Sequence, residues 1–447
     1  VTDTGTTRRQ RRADVDRLLT ATGKRMTARI SSRQGEERAG LGWEDERALG
    51  RQAIQEVLAE WRREAYDTGR QPLSPEVEQG LAREVHDLLY GLGGLQPYVD
   101  DPAVVDVHCT GYDNVFVHYA DGTKVKVPPV AGSDEELEEQ VRTTARRAGR
   151  SERRWDKEVV ALDMQLPDGS RLHAIHGVTG RPVVDIRRHN FGDYHRLSQL
   201  ADSDVMDTAI RDFLATAVRC RFNLLVAGTK GIGKTTLLRC LCNEIAPEER
   251  IITVEDSLEL GIERFRDLHP DVVSIEARPA NSEGQGAFTM ADGVYEALRI
   301  PGRVIVGETR GPEVIPMLKA ISSGDDGSMC TIHARHSANV FNRLKTYARM
   351  VPDPFPTDVV ADMVAESVNF VVFLGWDDGR PSRRRVRSIR EVVGAEGNQV
   401  VSNEVWAPDA RGRAVPHARL TATTERVLEA GGYDLALRDK PDGWWRR

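Results

Sequence analysis

Only five cysteines occur in 447 residues, Cys109, Cys220, Cys240, Cys242 and Cys330, at irregular spacing. So sparse a set excludes a disulfide framework and fits a reducing compartment. Cys240 and Cys242 form the one close pair, and residues two apart on a helix do not share a face, so no metal site is expected there. No run approaches the ~20 apolar residues of a membrane span, and the opening VTDTGTTRRQRRADVD lacks the apolar core of a secretory signal. Direct membrane insertion is therefore not expected. No repeat of fixed period is found, which excludes solenoids and propellers. An excess of positive charge is also missing: the formal net charge is −7, which argues against a surface built wholly to neutralise nucleic-acid phosphates. Local basic clusters exist at Arg8, Arg9, Arg11 and Arg12 and at Arg383, Arg384 and Arg385.

What is present is ordinary for a folded chain, with 40% hydrophobic and 29% charged residues, and the length calls for two or three domains. Residues 1–42 are charged and poor in large apolar side chains, and are expected to be a mobile segment. From 43 to 92, Ile54, Val57, Leu58 and Trp61, then Leu81, Val85, Leu88 and Leu89, recur at helical spacing around the breaker GRQPLSP, predicting a helical pair. Short β-branched runs with DG and GYDN turns follow, so 43–190 reads as a mixed α+β domain. Residues 191–204 read as a polar linker. From Phe222 the pattern becomes buried strands, FNLLVAG, RIITVED and RVIVGE, alternating with helices, as in a parallel sheet covered on both faces. This α/β domain is placed at 205–350. Residues 351–447, with a helix at 357–368, a strand at 370–374 and a hairpin, read as a C-terminal helical and β extension.

Gly228, Thr229, Lys230, Gly231, Ile232, Gly233, Lys234 and Thr235 match G-x-x-x-x-G-K-[ST]. The match directly follows a strand and opens the helix TTLLRCLCNEI, so loop N–H groups and a helix N-terminus converge on one point. Such a loop cradles phosphates, with Lys234 against the β and γ phosphates and the Thr235 hydroxyl on Mg²⁺. Glu255, Asp256 and Glu308 close two of the strands, at the sheet edge where ligands lie. Phosphoryl transfer needs one acid to hold Mg²⁺ and another to position the attacking water. Without the loop, all three acids would read as solvated strand-end residues.

Four blocks in order carry a resemblance: the loop at 228–236, ending in Thr236; ITVEDSLEL; ALRIPGRVIVGETRG; and GDDGSMCTIHA. In these the chain resembles the secretion ATPase superfamily of type II and type IV systems, most closely its CpaF/TadA branch of Flp-type pilus assembly. The likeness extends through TGYDNVFV, LPDGSRLHAI and VDIRRH upstream and VFNRLKTYA and SIREVVG downstream. It implies a RecA-like P-loop domain with a parallel sheet behind the N-terminal α+β domain. By the resemblance, Glu255 is the Asp-box glutamate and Glu308 the Walker B glutamate; with Thr235 they are the metal-site candidates and share metal holding and water polarisation, with Glu308 favoured on Mg²⁺ and Glu255 on water. His333 matches the His-box histidine, although a lone histidine in an apolar strand is more often a satisfied core residue. Arg171, Arg187 and Arg188 match N-domain arginines that approach phosphates, in their own subunit or a neighbour's.

The resemblance further implies ATP and Mg²⁺ as cofactors, a hexameric ring, and a cytoplasmic motor held at the inner face of the membrane by a platform protein. Its output would be pilus assembly or secretion. A conjugative DNA motor and a nucleotide-sensing scaffold are the alternatives. Four positions depart from the family's usual residues: Lys230, Ile232, Gly302 and Asp325. They bear on affinity and turnover.

Overall fold

The computed structural model describes residues 5–32, 43–148, 155–156, 158–188, 195–278, 280, 285–322, 326–377 and 380–446. The chain divides into two compact units, Val1–His189 and Asn190–Arg447.

The first unit opens with three helices, α1 (Gly5–Ser32), α2 (Trp43–Asp67) and α3 (Pro75–Tyr90). Val15 and Leu18 of α1 pack on Ile54, Val57 and Leu58 of α2 and on Leu81 and Val85 of α3, one apolar stripe from each helix. Ser74 caps α3 by accepting from the Val77 amide, with Pro75 in the first turn. The expectation of a mobile charged segment at 1–42 is thus corrected for residues 5–32, while 33–42 lie outside the described residues. The charge that suggested a solvated tail is paired across helices: Arg11, Arg12, Arg17 and Arg25 meet Glu84, Glu136, Glu64 and Glu60.

Next come α4 (Gln96–Asp100), β1 (Val104–Thr110), β2 (Val115–Tyr119), β3 (Lys124–Val127), α5 (Asp134–Ala148), β4 (Ala161–Gln165), β5 (Arg171–Ile175) and β6 (Val183–Arg187). The six strands form one antiparallel sheet, ordered β3-β2-β1-β6-β5-β4. Alternation along each strand buries Val107, Leu172, Val184 and Ile186 against Leu137 and Val141 of α5. The opposite face carries Asp106, Asp163, Arg171, Asp185 and Arg187, which the same period of two requires.

The second unit contains α6 (Leu197–Asp202), α7 (Thr208–Arg219), β7 (Leu224–Gly228), α8 (Lys234–Cys242), β8 (Ile251–Glu255), β9 (Val272–Glu276), α9 (Met290–Ala297), β10 (Arg303–Thr309), α10 (Val314–Ser322), β11 (Met329–His333), α11 (Asn339–Tyr347), α12 (Thr357–Ser367), β12 (Phe370–Asp377), β13 (Arg380–Glu396), β14 (Gln399–Pro408), β15 (Ala414–Pro416) and α13 (Ala422–Ala430). One nine-stranded sheet, ordered β15-β14-β13-β12-β7-β11-β10-β8-β9, runs through it. The six strands from β12 to β9 in that order are parallel, and β13 to β15 extend the edge antiparallel. Helices cover both faces: one core gathers α6, α7, α8 and α13, the other α9, α10, α11 and α12. This is the doubly covered parallel sheet that the continuous apolar strands predict.

Two expected boundaries move. Leu197 and Leu200 of α6 are buried in the core, so the latter part of the linker at 191–204 is structure, and 191–194 lie outside the described residues. The C-terminal extension is not separate either: β12 pairs parallel with β7, Phe370 opposite Leu224, and Trp406 and Tyr433 pack on Phe213 of α7. All five cysteines are free thiols. Burial pushes Cys240 up to about 12 and raises Cys242 as well, so both are thiols of the core with little thiolate character.

Candidate functional site

The loop after β7 is shaped by its glycines. A Cβ on Gly228 would stand 2.7 Å from Ile232 Cγ2 and 2.8 Å from the Leu374 carbonyl oxygen, so only glycine lets the loop turn that tightly over β12. Gly233 has φ +101° and serves as N-cap of α8. Ile232, one of the departing positions, is fully buried in the core beneath the loop. Thr235 and Thr236 are half-buried in the first turn of α8, and Thr229 and Lys230 are exposed.

Register brings the next residue in: β11 pairs with β7 so that His333 lies opposite Gly228. The Lys234 ammonium donates to the Thr229 carbonyl at 3.3 Å and stands 3.1 Å from His333 Nδ1 and 3.6 Å from Glu308 Oε1. Burial lowers its pKa, and Glu308 acts in the opposite direction. His333 Nε2 is 2.6 Å from the same Glu308 oxygen, although the alignment falls short of a hydrogen bond. The structure therefore brings Lys234, Glu308 and His333 into one cluster.

The two glutamates behave differently. Burial opposes ionisation of Glu308, yet His333, Arg310 and Lys234 hold its carboxyl down to about 2. Glu255 is 2% exposed, and burial lifts it to about 8 even though the amides of Glu259 and Leu260 donate to Oε2 at 2.9 and 2.8 Å. It abuts the residue before Glu308: a Cβ on Gly307 would stand 2.9 Å from Glu255 Cγ. Arg310 is the residue that sequence reasoning missed. Its guanidinium grips Glu308 Oε2, with Nε at 2.8 Å, and donates to Asp256 at 2.9 Å, locking two strand ends together. The only hint was its position two residues after Glu308 in GETRG, a spacing without periodic signal.

A phosphate chain and a divalent cation fit this arrangement. The loop, the α8 N-terminus and buried Lys234 offer an anion cradle. Glu255 Oε1 and Glu308 Oε1 are buried acceptors with no hydrogen-bond partner among the described residues. Among the described residues, no group of three or more His, Cys, Asp or Glu is placed to hold a metal alone. A cation here would complete its shell with phosphate oxygens and water, as Mg²⁺ does.

Arg171 and Arg187 belong to the first unit. They lie directly opposite each other on β5 and β6 and are held by Asp163 at 3.2 Å and Asp106 at 2.8 Å. Arg188 donates to the carbonyls of Asp101 and Val104. Gly302 has φ +145°, and a Cβ there would meet the Arg250 carbonyl oxygen at 2.8 Å, so this departure has a backbone cause. Asp325 lies outside the described residues.

A parallel sheet with a phosphate-type loop after its first strand, strand-end acids beside it and an N-terminal α+β unit defines a RecA-like P-loop ATPase fold. The sequence profile of the family "Type II/IV secretion system protein" matches residues 91–373, and the chain belongs to that family. "Putative conjugal transfer protein Rv3659c" of Mycobacterium tuberculosis is 33% identical over 333 residues, 72% of this chain and 90% of that protein. "Type IV secretion system protein PtlH" of Bordetella pertussis is 35% identical over 182 residues, 40% of this chain and 52% of its own length. Among solved structures, the ATPase DotB of Legionella pneumophila is 18% identical with a TM-score of 0.48, covering 68% of this chain and 80% of that one.

Proposed function

We propose that the chain is a Mg²⁺-dependent ATPase motor of the CpaF/TadA branch, coupling hydrolysis to pilus assembly or type II/IV-type secretion. The observation that carries it is the convergence of Lys234, Glu308 and His333 at the mouth of the loop. Residues 228–236 cradle the phosphates, Lys234 faces the β and γ groups, and Thr235 with Glu308 holds the cation. Mg²⁺ neutralises charge on the phosphate oxygens when bound. Glu255, in its ionised form, accepts the proton of the attacking water: a buried carboxyl lifted to about 8 is mostly protonated at neutral pH, but once ionised it is a stronger base than an exposed one. His333, touching both Lys234 and Glu308, links the state of the site to β11.

In this reading the protein forms a hexameric ring on the cytoplasmic side of the membrane, held by a membrane-embedded platform protein. Among the described residues no helix is long and apolar enough to cross a membrane. Arg171 and Arg187 approach a nucleotide, their own subunit's or a neighbour's. Lys234→Ala should reduce ATP turnover at least a hundredfold and weaken nucleotide binding. Wild-type hydrolysis by the purified variant would refute the assignment.

The name of the mycobacterial relative supports a second reading, a conjugative DNA-transfer motor. Stimulation of hydrolysis by DNA, declining steeply with salt, selects it; indifference to DNA selects the pilus or secretion motor.

A further inference from the structure

A cleft of ~730 Å³ opens at the end of the loop toward which Lys234 is directed, between residues 229 and 230, the turn after β11 and helix α11. Thr229 and His333 form its inner end, and the Lys234 ammonium lies against both. Lys230, Arg335, Asn339, Asn342, Arg343 and Thr346 line the rest.

The chemistry of this lining is one-sided. Lys230, Arg335 and Arg343 are cationic, Asn339 and Asn342 carry amide donors, and no acid stands among the described residues that line it. The Lys230 and Arg335 side chains have neither an ion pair nor a hydrogen bond among the described residues. Cations gathered around one cleft repel each other until an anion enters, and such a cleft concentrates anions. Its wall is fixed in place. Arg343 Nε donates to the His333 carbonyl at 3.3 Å with its guanidinium over the Tyr347 ring. Ser337, two residues after Arg335, is tied to β13 by Ser388 Oγ and Arg390 Nε, each at 2.9 Å. No Phe, Tyr or Trp lines the cleft, and Tyr347 is buried, so no platform is offered to a stacked base. A small hydrated anion suits it better than a strand of nucleic acid.

We infer that the cleft is an orthophosphate site and the exit by which the cleaved phosphate leaves while the nucleoside diphosphate stays in the loop. The inference rests on the nucleotide reading above. In that reaction the bond between the γ phosphorus and its bridging oxygen breaks, and the electron pair stays on the diphosphate. Water supplies the fourth oxygen of the orthophosphate and gives one proton to Glu255. The new anion starts beside Lys234 and His333, and Arg335 and Arg343 draw it outward along the cleft.

Arg335→Glu/Asn342→Asp places negative charge at two exposed positions of the lining, outside the phosphate loop. Quenched-flow single turnovers of the full chain read ATP cleavage, and a fluorescent phosphate sensor reads release. Cleavage should stay within about twofold of the parent while release slows about tenfold. A second measurement is free of turnover: phosphorus NMR of orthophosphate with Lys234→Ala, whose loop is disabled. The phosphate line should broaden with Lys234→Ala and sharpen again when Arg335→Glu/Asn342→Asp is added. Release at the parent rate, or cleavage slowed as much as release, overturns the exit. A phosphate line that Lys234→Ala leaves sharp, or that the added pair leaves broad, overturns the site. A parent chain that never cleaves ATP, with broadening that depends on the pair, overturns the nucleotide reading and the exit with it, while the anion site stands.

Discussion

Two glutamates at neighbouring strand ends ionise in opposite directions, and the difference is measurable. Glu255, lifted by burial to about 8, is protonated in the fold where the unfolded chain would be charged. Its neutral form is accommodated at low pH, and that stability is lost as pH rises from the ordinary carboxylate range through about 8. Glu308, held at about 2, does the reverse: its contribution is present above the ordinary range and lost as pH falls toward 2. Glu255→Gln should therefore remove a decline in stability between about pH 5 and 8, on the order of 3–5 kcal/mol by linkage. Chemical denaturation across that range checks it, and identical pH profiles for parent and variant would count against the shift. The same substitution, and Glu308→Gln, should retain ATP binding and lose hydrolysis by at least a hundredfold, because the amide keeps volume while Glu255 loses the capacity to accept a proton and Glu308 loses its charge. Single-turnover measurement with labelled ATP separates the two effects for each residue.

At the scale of elements, Asn223 just ahead of β7 ties the sheet together. Its Oδ1 accepts from the amides of Gly327 at 2.8 Å and Ser328 at 2.9 Å, and its Nδ2 donates to the Ser367 carbonyl at 2.9 Å. The ends of three elements thus meet one buried side chain at the amino-terminal ends of the parallel strands, opposite the loop. Asn223→Ala leaves those groups unsatisfied and should cost about 3 kcal/mol or more. Asn223→Asp keeps the acceptor but loses the donor and should cost less at neutral pH only if water reaches Ser367. Unfolding curves that coincide with the parent's would dismiss the staple. Asn223 also shows what the sequence could and could not reveal. The apolar runs around it and at 251–254 and 304–306 were legible as parallel strands, because burial on both faces leaves a mostly apolar stretch. That β12 would dock beside β7 was not legible: pairing between strands nearly 150 residues apart is fixed by side chains such as Asn223 and Asn369, which carry no period. Helix α1 was missed for a related reason. Its sparse apolar residues form a stripe only once Glu84, Glu64 and Glu60 have taken up its arginines. The site divides in the same way, since Lys234 and the strand-end glutamates sit in recognisable blocks, whereas Arg310 acts through geometry that only folding creates.

At the scale of the whole molecule, the open question is whether the site is completed by a second copy of the chain. Arg171 and Arg187 face each other on an exposed sheet surface, and like charges directly opposite are unfavourable unless each is compensated. Asp163 and Asp106 do that here, and both pairs are partly solvent-exposed, so removing the arginines should cost little stability. An arginine that reaches a neighbour's phosphates is worth roughly a thousandfold or more in rate. If these two act between subunits, Lys234→Ala subunits retain the arginines and lack a working loop, while Arg171→Ala/Arg187→Ala subunits retain the loop and lack the arginines. Each variant alone should be inactive. A mixture allowed to exchange subunits should recover activity at interfaces where the first donates arginines to the second's intact loop. With random assembly in equal proportion, about a quarter of interfaces pair the two in the productive order, because head-to-tail contacts are directional. ATPase activity should rise toward that fraction of the parent's rate. Activity no greater than the parents' average, in assemblies shown by native mass spectrometry to contain both chains, would mean that the arginines serve their own subunit.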